Sequence, residues 1–231
     1  MKPTILSAVL TLVFLPGAIH AADDPFNPPQ GLFSDNYYAI ELGGLKCGYA
    51  RIAAKREGPE IRSMTYMNIQ IRRGAIPIDI VIKDVQRETV AGKPLGFEAE
   101  QFSSMAVIKH AGTIDGDSLT VISSQGDEKT PRRYPWNPDA KMAWAAHLEM
   151  TRRGLKPGTT YDILTYDVLS SADKPLPTTV TIVGPETVDL FGAKVQAHRI
   201  ETVTNAGVRL RSTAWVDDRG DPLISTVNLG F

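Results

Sequence analysis

One cysteine and four histidines are the residues of this chain best suited to nucleophilic or metal chemistry. Thiol-based acyl transfer needs a thiolate, a histidine base and a group that orients the histidine. Cys47 is the single candidate thiol, and it stands between Lys46 and Gly48 at the start of a predicted strand. Activated thiols favour helix N-termini or a neighbouring imidazolium, whereas free cysteines in general are among the most buried residues. A packed, inert Cys47 is therefore expected, with Lys46 as the one neighbour favouring activation. His110, His147 and His198 form no HxH, HExxH or Cys/His spacing, so no metal site is expected. Each reads as a surface or hydrogen-bonded histidine. No serine sits in a G-x-S-x-G elbow, and there is no G-x-G-x-x-G or P-loop. The expectation is a chain with no catalytic residue and no cofactor, hence not an enzyme.

Three other groups invite a functional reading. Asp217-Asp218-Arg219-Gly220-Asp221 lacks the alternating oxygen ligands and distant Glu of an EF-hand, and reads as a tight hairpin turn. As an Arg-Gly-Asp adhesion motif it would have to protrude. Strand alternation projects Trp215, Arg211 and Arg209 together, away from Leu210 and Val216. On a convex face they form a solvent ladder with a cation–π contact of ~0.5–1 kcal/mol. On a concave face they line an aromatic, cationic site. Trp144 and Leu148 fall at i and i+4 of one helix, either as a lid over such a concavity or as core. These five residues are the expected ligand or partner face.

The elements that must position them begin after an export signal. Lys2, the apolar run Ile5 to Leu15, Pro16-Gly17 and Ile19-His20-Ala21 make residues 1–21 a signal peptide, and no transmembrane segment is expected. A periplasmic or secreted location follows. The 25 Lys and Arg nearly balance the 26 Asp and Glu, which gives no pull on nucleic acid. A single cysteine excludes an internal disulfide framework. Residues 22–36, rich in Pro, Asp and Asn, read as a flexible leader that Phe26 or Phe33 could pin. Residues 37–231 read as a single β-rich domain.

Within it, Ile76, Ile78, Ile80 and Ile82 share a face, as do Met67, Ile69 and Ile71. This period of two predicts roughly ten or more strands buried on one side. The phase slips after Ile82 and between Ala197 and Ile200, which predicts bulges in a curved sheet. Glu88 to Leu95 and Trp215 to Leu223 look like two versions of one hairpin, each with a Gly-centred turn and a returning Pro-Leu. One helix near 138–153 is predicted, with Asn137 as cap, Pro138 at the first position and Gly154 at the end.

Taken in order, Gly44 to Tyr49, Glu88-Thr89 with Gly92 to Phe97, Pro135-Trp136, Leu155 to Gly158 and Trp215 to Leu223 carry a resemblance. They resemble the exported β-rich domain of unknown function that precedes transglutaminase-like domains in bacterial proteins, and more distantly lipoprotein carriers. The resemblance implies a mainly β fold: a large curved antiparallel sheet, half-barrel and LolA-like, with one α-helix packed on it. It carries over no catalytic residue. The function expected is a non-catalytic binding or accessory module of the cell envelope, whose partner is an envelope protein or an apolar small molecule. The alternative is a soluble carrier of a lipid or other apolar ligand in the concave sheet. A twelve-carbon chain yields about 10 kcal/mol gross on burial. Association costs of ~4–15 kcal/mol consume much of it, so a carrier needs a preformed cavity of several hundred Å³.

Overall fold

The computed structural model describes residues 9–15, 24–103, 106–207 and 209–228. Among them, fifteen strands form one curled, half-barrel sheet around a single helix. The first meander is β2 (Gly31–Leu42), β3 (Leu45–Glu57), β4 (Glu60–Arg73), β5 (Ile76–Thr89), β6 (Pro94–Ser103), β7 (Ala106–Asp115), β8 (Ser118–Gln125) and β9 (Glu128–Pro135). Then come β10 (Ala140–Lys141) and α1 (Ala143–Arg153). The second meander is β11 (Thr160–Thr165), β12 (Leu176–Leu190), β13 (Ala193–Asn205), β14 (Arg209–Val216) and β15 (Pro222–Asn228). The strand β1 (Val9–Leu15) lies between β15 and β2, antiparallel to both, and so joins the two meanders. The cut expected after Ala21 lies outside the described residues.

Turn chemistry explains why consecutive strands pair. Gly43-Gly44, Gly58, Gly116 and Gly126 all take left-handed φ at hairpin tips, where a β-carbon would be strained. The two look-alike hairpins are alike in detail. In one, the Thr89 amide donates to the Lys93 carbonyl, the Gly92 amide to the Thr89 carbonyl, and the Lys93 amide to Thr89 Oγ1. In the other, Asp217, Gly220 and Asp221 repeat the same three bonds, with Asp217 Oδ1 as the side-chain acceptor. Both turns rest on α1. A β-carbon on Gly92 would come within 3.2 Å of Ala145, and one on Gly220 within 2.6 Å of the Met150 methyl.

Most of the core lies on the concave side. Trp144 and Leu148 pack with Ile61, Phe33 and Val90. Met150 and Leu155 pack against Tyr161, Val180, Ile182, Ile200 and Val216. A third cluster unites Phe97, Leu119 and Val121 of one meander with Trp136, Met142 and Tyr166, which draws the far ends of the sheet together.

Three expectations need correction. The helix begins at Ala143, so its start lies well past 138. Asn137 instead closes a turn, accepting the Asp139 amide on its side chain and the Ala140 amide on its carbonyl. Residues 31–36 of the expected leader belong to β2. Ahead of them, Pro28 is buried and Arg56 donates to Asn27 and Pro28, while Phe33 meets Trp144 edge-on and Phe26 lies under Arg152. Finally, no bulge follows Ile82 on the β4 side, where β5 pairs without interruption from Ile76 to Thr89. The inward face simply changes from isoleucine to Asp84, Gln86 and Glu88. The irregularity of β5 lies toward β6, at Arg87/Glu88. The second expected bulge exists, on the partner strand: Val183 is the extra residue opposite Arg199 and Ile200.

Candidate functional site

The helix is started by the sheet and not by its own sequence. Its N-cap residue, Met142, offers no side-chain acceptor. The orphan amides of the first turn are taken by β5: Gln86 Oε1 accepts from Ala143 (2.8 Å), and the Glu88 carboxylate accepts from Trp144 (2.6 Å) and Ala145 (2.9 Å). A carboxylate opposite the positive end of a helix is electrostatically favoured. Burial still dominates and pushes Glu88 up to about 7, with the two amides pulling it back. Asp84, four residues back on the same face, is likewise raised by burial and by Asp167 to about 7. The Trp144 indole then donates to the Val90 carbonyl at 2.9 Å, fixing the ring against the turn at Gly92.

So anchored, α1 stands off the β2–β3 wall and leaves a cavity of about 760 Å³. That size is within the range that small-molecule sites occupy. Phe33, Ile52, Trp144 and Leu155 give it apolar walls, and the turn at 218–222 forms one rim. Polar groups converge on that rim. His198 Nε2 and Asp218 Oδ1 are 3.0 Å apart, with the carboxylate almost fully in solvent. The other ring nitrogen of His198, Nδ1, is buried without a hydrogen-bond partner among the described residues. His147 stacks on Trp144 at 5.2 Å. Burial lowers the His147 pKa, and Asp221 works against that shift. Burial and Asp217 raise Asp221, and His147 opposes them. The Tyr38 hydroxyl spans from β2 to donate to the Pro222 carbonyl at 3.1 Å, and burial raises it. One His/Asp contact, with His147 and Asp221 beside it acting on each other electrostatically, thus faces an aromatic-walled space.

Of the hydroxyls lining the cavity, Thr151 donates to the His147 carbonyl and Ser34 accepts from Asn36. A serine–histidine contact does occur elsewhere, His110 Nδ1 to Ser123 Oγ at 2.8 Å, as a cross-strand pair between β7 and β8. Cys47 is half-buried against the Tyr38, Ile40 and Ala50 cluster, and burial and Glu41 push its thiol up, away from the thiolate. Among the described residues no three His, Cys, Asp or Glu side chains converge as a metal site.

Of the five residues expected to form a ligand face, the structure brings Trp144 to the cavity and puts Leu148 in the core beneath it. Trp215, Arg211 and Arg209 are not with them. Val216 faces α1, so the alternate residues lie on the convex side. There the Trp215 indole donates to Glu186 at 3.1 Å and its ring packs with Val188, Ala197 and Leu223. The cation–π contacts among the described residues are Arg51–Tyr37, Arg152–Phe26 and Arg153–Tyr161, so the Trp215 ladder is not one of them. Tyr38 and Glu88 were missed by sequence reasoning, which gave Phe33 only as a pin for the leader and Asp221 only as a turn residue. For Glu88 there was a signal: with Gln86 it holds the inward parity of Ile80 and Ile82, where an unexplained polar residue needs a buried partner.

The fold defines a β-barrel-like domain with a helix-covered concave cavity. No protein-family model and no curated protein matches the chain. It is similar to the crystal structure of a β-barrel-like protein of the domain of unknown function DUF1849 from Brucella abortus, with 11% identity and a TM-score of 0.60. That likeness covers 96% of this chain and 93% of the other. At this identity the likeness concerns the fold. No helix of the described residues is long and apolar enough to cross a membrane.

Proposed function

We propose that this chain is a non-catalytic, exported binding module of the cell envelope that takes a small amphipathic ligand into the cavity between α1 and the β2–β3 wall. The observation that supports this is the cavity itself, about 760 Å³ with aromatic walls and a lining that includes His147, His198, Asp218 and Asp221. The apolar part of the ligand lies along Phe33 and Trp144. Its polar head, a hydrogen-bond donor or a cation, meets Asp218 and Asp221. The soluble-carrier alternative is the same reading with a longer acyl chain. An accessory role beside a transglutaminase-like enzyme rests on the sequence resemblance alone.

Native mass spectrometry on protein purified from its own compartment tests the proposal. A co-purifying small molecule is expected, and Ala54→Trp, which places an indole in the cavity wall, should abolish it. Bare protein that also fails to bind dodecylamine would remove the proposal.

A further inference from the structure

Strand β1 coincides with the apolar run of the proposed export signal. In the structure Leu10 to Leu15 register with Leu42 to Tyr37 of β2, and Val9 to Val13 with Asn228 to Ile224 of β15. Export as proposed above removes this strand from the sheet. What remains is a slot one strand wide, about 10 Å between the axes of β2 and β15. Both strands then carry a free row of amides and carbonyls.

The two edges are badly matched to each other. Because each is antiparallel to β1, β2 and β15 run parallel, in a sheet whose other pairs are antiparallel except β10–β11. Closing the slot directly would demand a parallel pairing and a one-strand shift of half the sheet. The Tyr38 hydroxyl, bonded to the Pro222 carbonyl across the slot, already holds the strands at their present spacing. A strand inserted antiparallel to both pairs with the edges at 37–42 and 224–228 without moving either.

We propose that the processed protein accepts an extended apolar peptide strand from another exported chain in the slot between β2 and β15. The register defines what fits. Positions 10, 12 and 14 pair with Leu42, Ile40 and Tyr38, on the face where Tyr38 and Ile40 are buried over the Ala50 cluster. Position 12 also pairs with Ser225, and position 10 with Val227. Apolar residues are required at these alternate positions. Position 11 pairs with Glu41 and Thr226 on the other face and accepts a polar residue, whereas position 13 lies between the buried Ala39 and the packed Ile224 and takes a small or apolar one. The partner is therefore a segment with period-two hydrophobicity, read by main-chain hydrogen bonds on both sides.

The test uses protein purified from its own compartment, weighed intact, and the lysine-flanked peptide Val-Leu-Thr-Leu-Val-Phe-Leu. Loss of residues 1–21, saturable binding, a raised melting temperature and slowed amide exchange at 38–42 and 224–227 are expected. Aspartate at the peptide positions matching 10, 12 and 14 should weaken binding more than about a hundredfold, since three carboxylates would be buried. Serine at the position matching 11, which faces Glu41 and Thr226, should change it little. A processed protein that ignores the peptide, or binds both versions equally, overturns the inference. A retained leader overturns both it and the export reading. The Ala54→Trp variant should still bind the peptide, which separates this slot from the cavity.

Discussion

The Glu88 carboxylate accepts the backbone amides of both Trp144 and Ala145, joining a buried residue of β5 to the first turn of α1 across 56 and 57 positions of sequence. The wall of the candidate site is therefore set by a strand residue that does not itself line the cavity. Replacing Glu88 by Ala leaves two buried amides unpaired. It should cost about 2–4 kcal/mol, read as a lowered urea midpoint. Glu88→Gln keeps one acceptor and should cost roughly half as much. Equal stability of all three proteins would refute the capping role.

The same carboxyl makes stability depend on pH in an unusual direction. Glu88 rises from 4.5 and Asp84 from 3.8, each to about 7, so the folded state holds these protons more tightly than the unfolded chain does. The stabilisation is complete below the unfolded values and is lost as pH rises through about 7. Urea midpoints should fall between pH 5 and pH 8, by at most a few kcal/mol in total. Glu88→Gln should flatten part of that slope; a midpoint that climbs with pH across this window contradicts the assignment.

Gly220 sits at φ +86 with its missing β-carbon directed at the Met150 methyl. Gly220→Ala should cost about 1–3 kcal/mol, part backbone strain and part contact with α1. Met150→Ala removes the contact but not the strain. A double-mutant cycle between the two should therefore show a coupling of about 0.5 kcal/mol or more, and strict additivity would deny that the turn rests on the helix.

Cys47 gives a sharp test of the non-catalytic reading. Burial and Glu41 hold its thiol protonated, so a mild alkylating probe at neutral pH should react more slowly than with free cysteine. Urea should abolish the difference. Rapid modification of the folded protein would revive a thiol-based activity.

Much of the architecture was legible along the chain because strand alternation and turn chemistry are local. The isoleucines from 76 to 82, the hairpin tips and the kinship of the Thr89 and Asp217 turns all follow from neighbouring residues. The glycine at the fourth place of each turn is demanded by a left-handed φ that any reader of Gly-Lys-Pro or Arg-Gly-Asp can suspect. What tertiary structure alone decided were the meetings between distant segments. Whether Asp84, Gln86 and Glu88 signalled a bulge or a helix-capping ladder depended on α1 arriving above them. Whether Trp215 or Trp144 faced the hollow depended on the direction of sheet curvature, which alternation by itself leaves undetermined. His147, His198, Asp218 and Asp221 carry no spacing that announces a site, because a cavity rim is assembled by packing, and packing is a property of the folded chain.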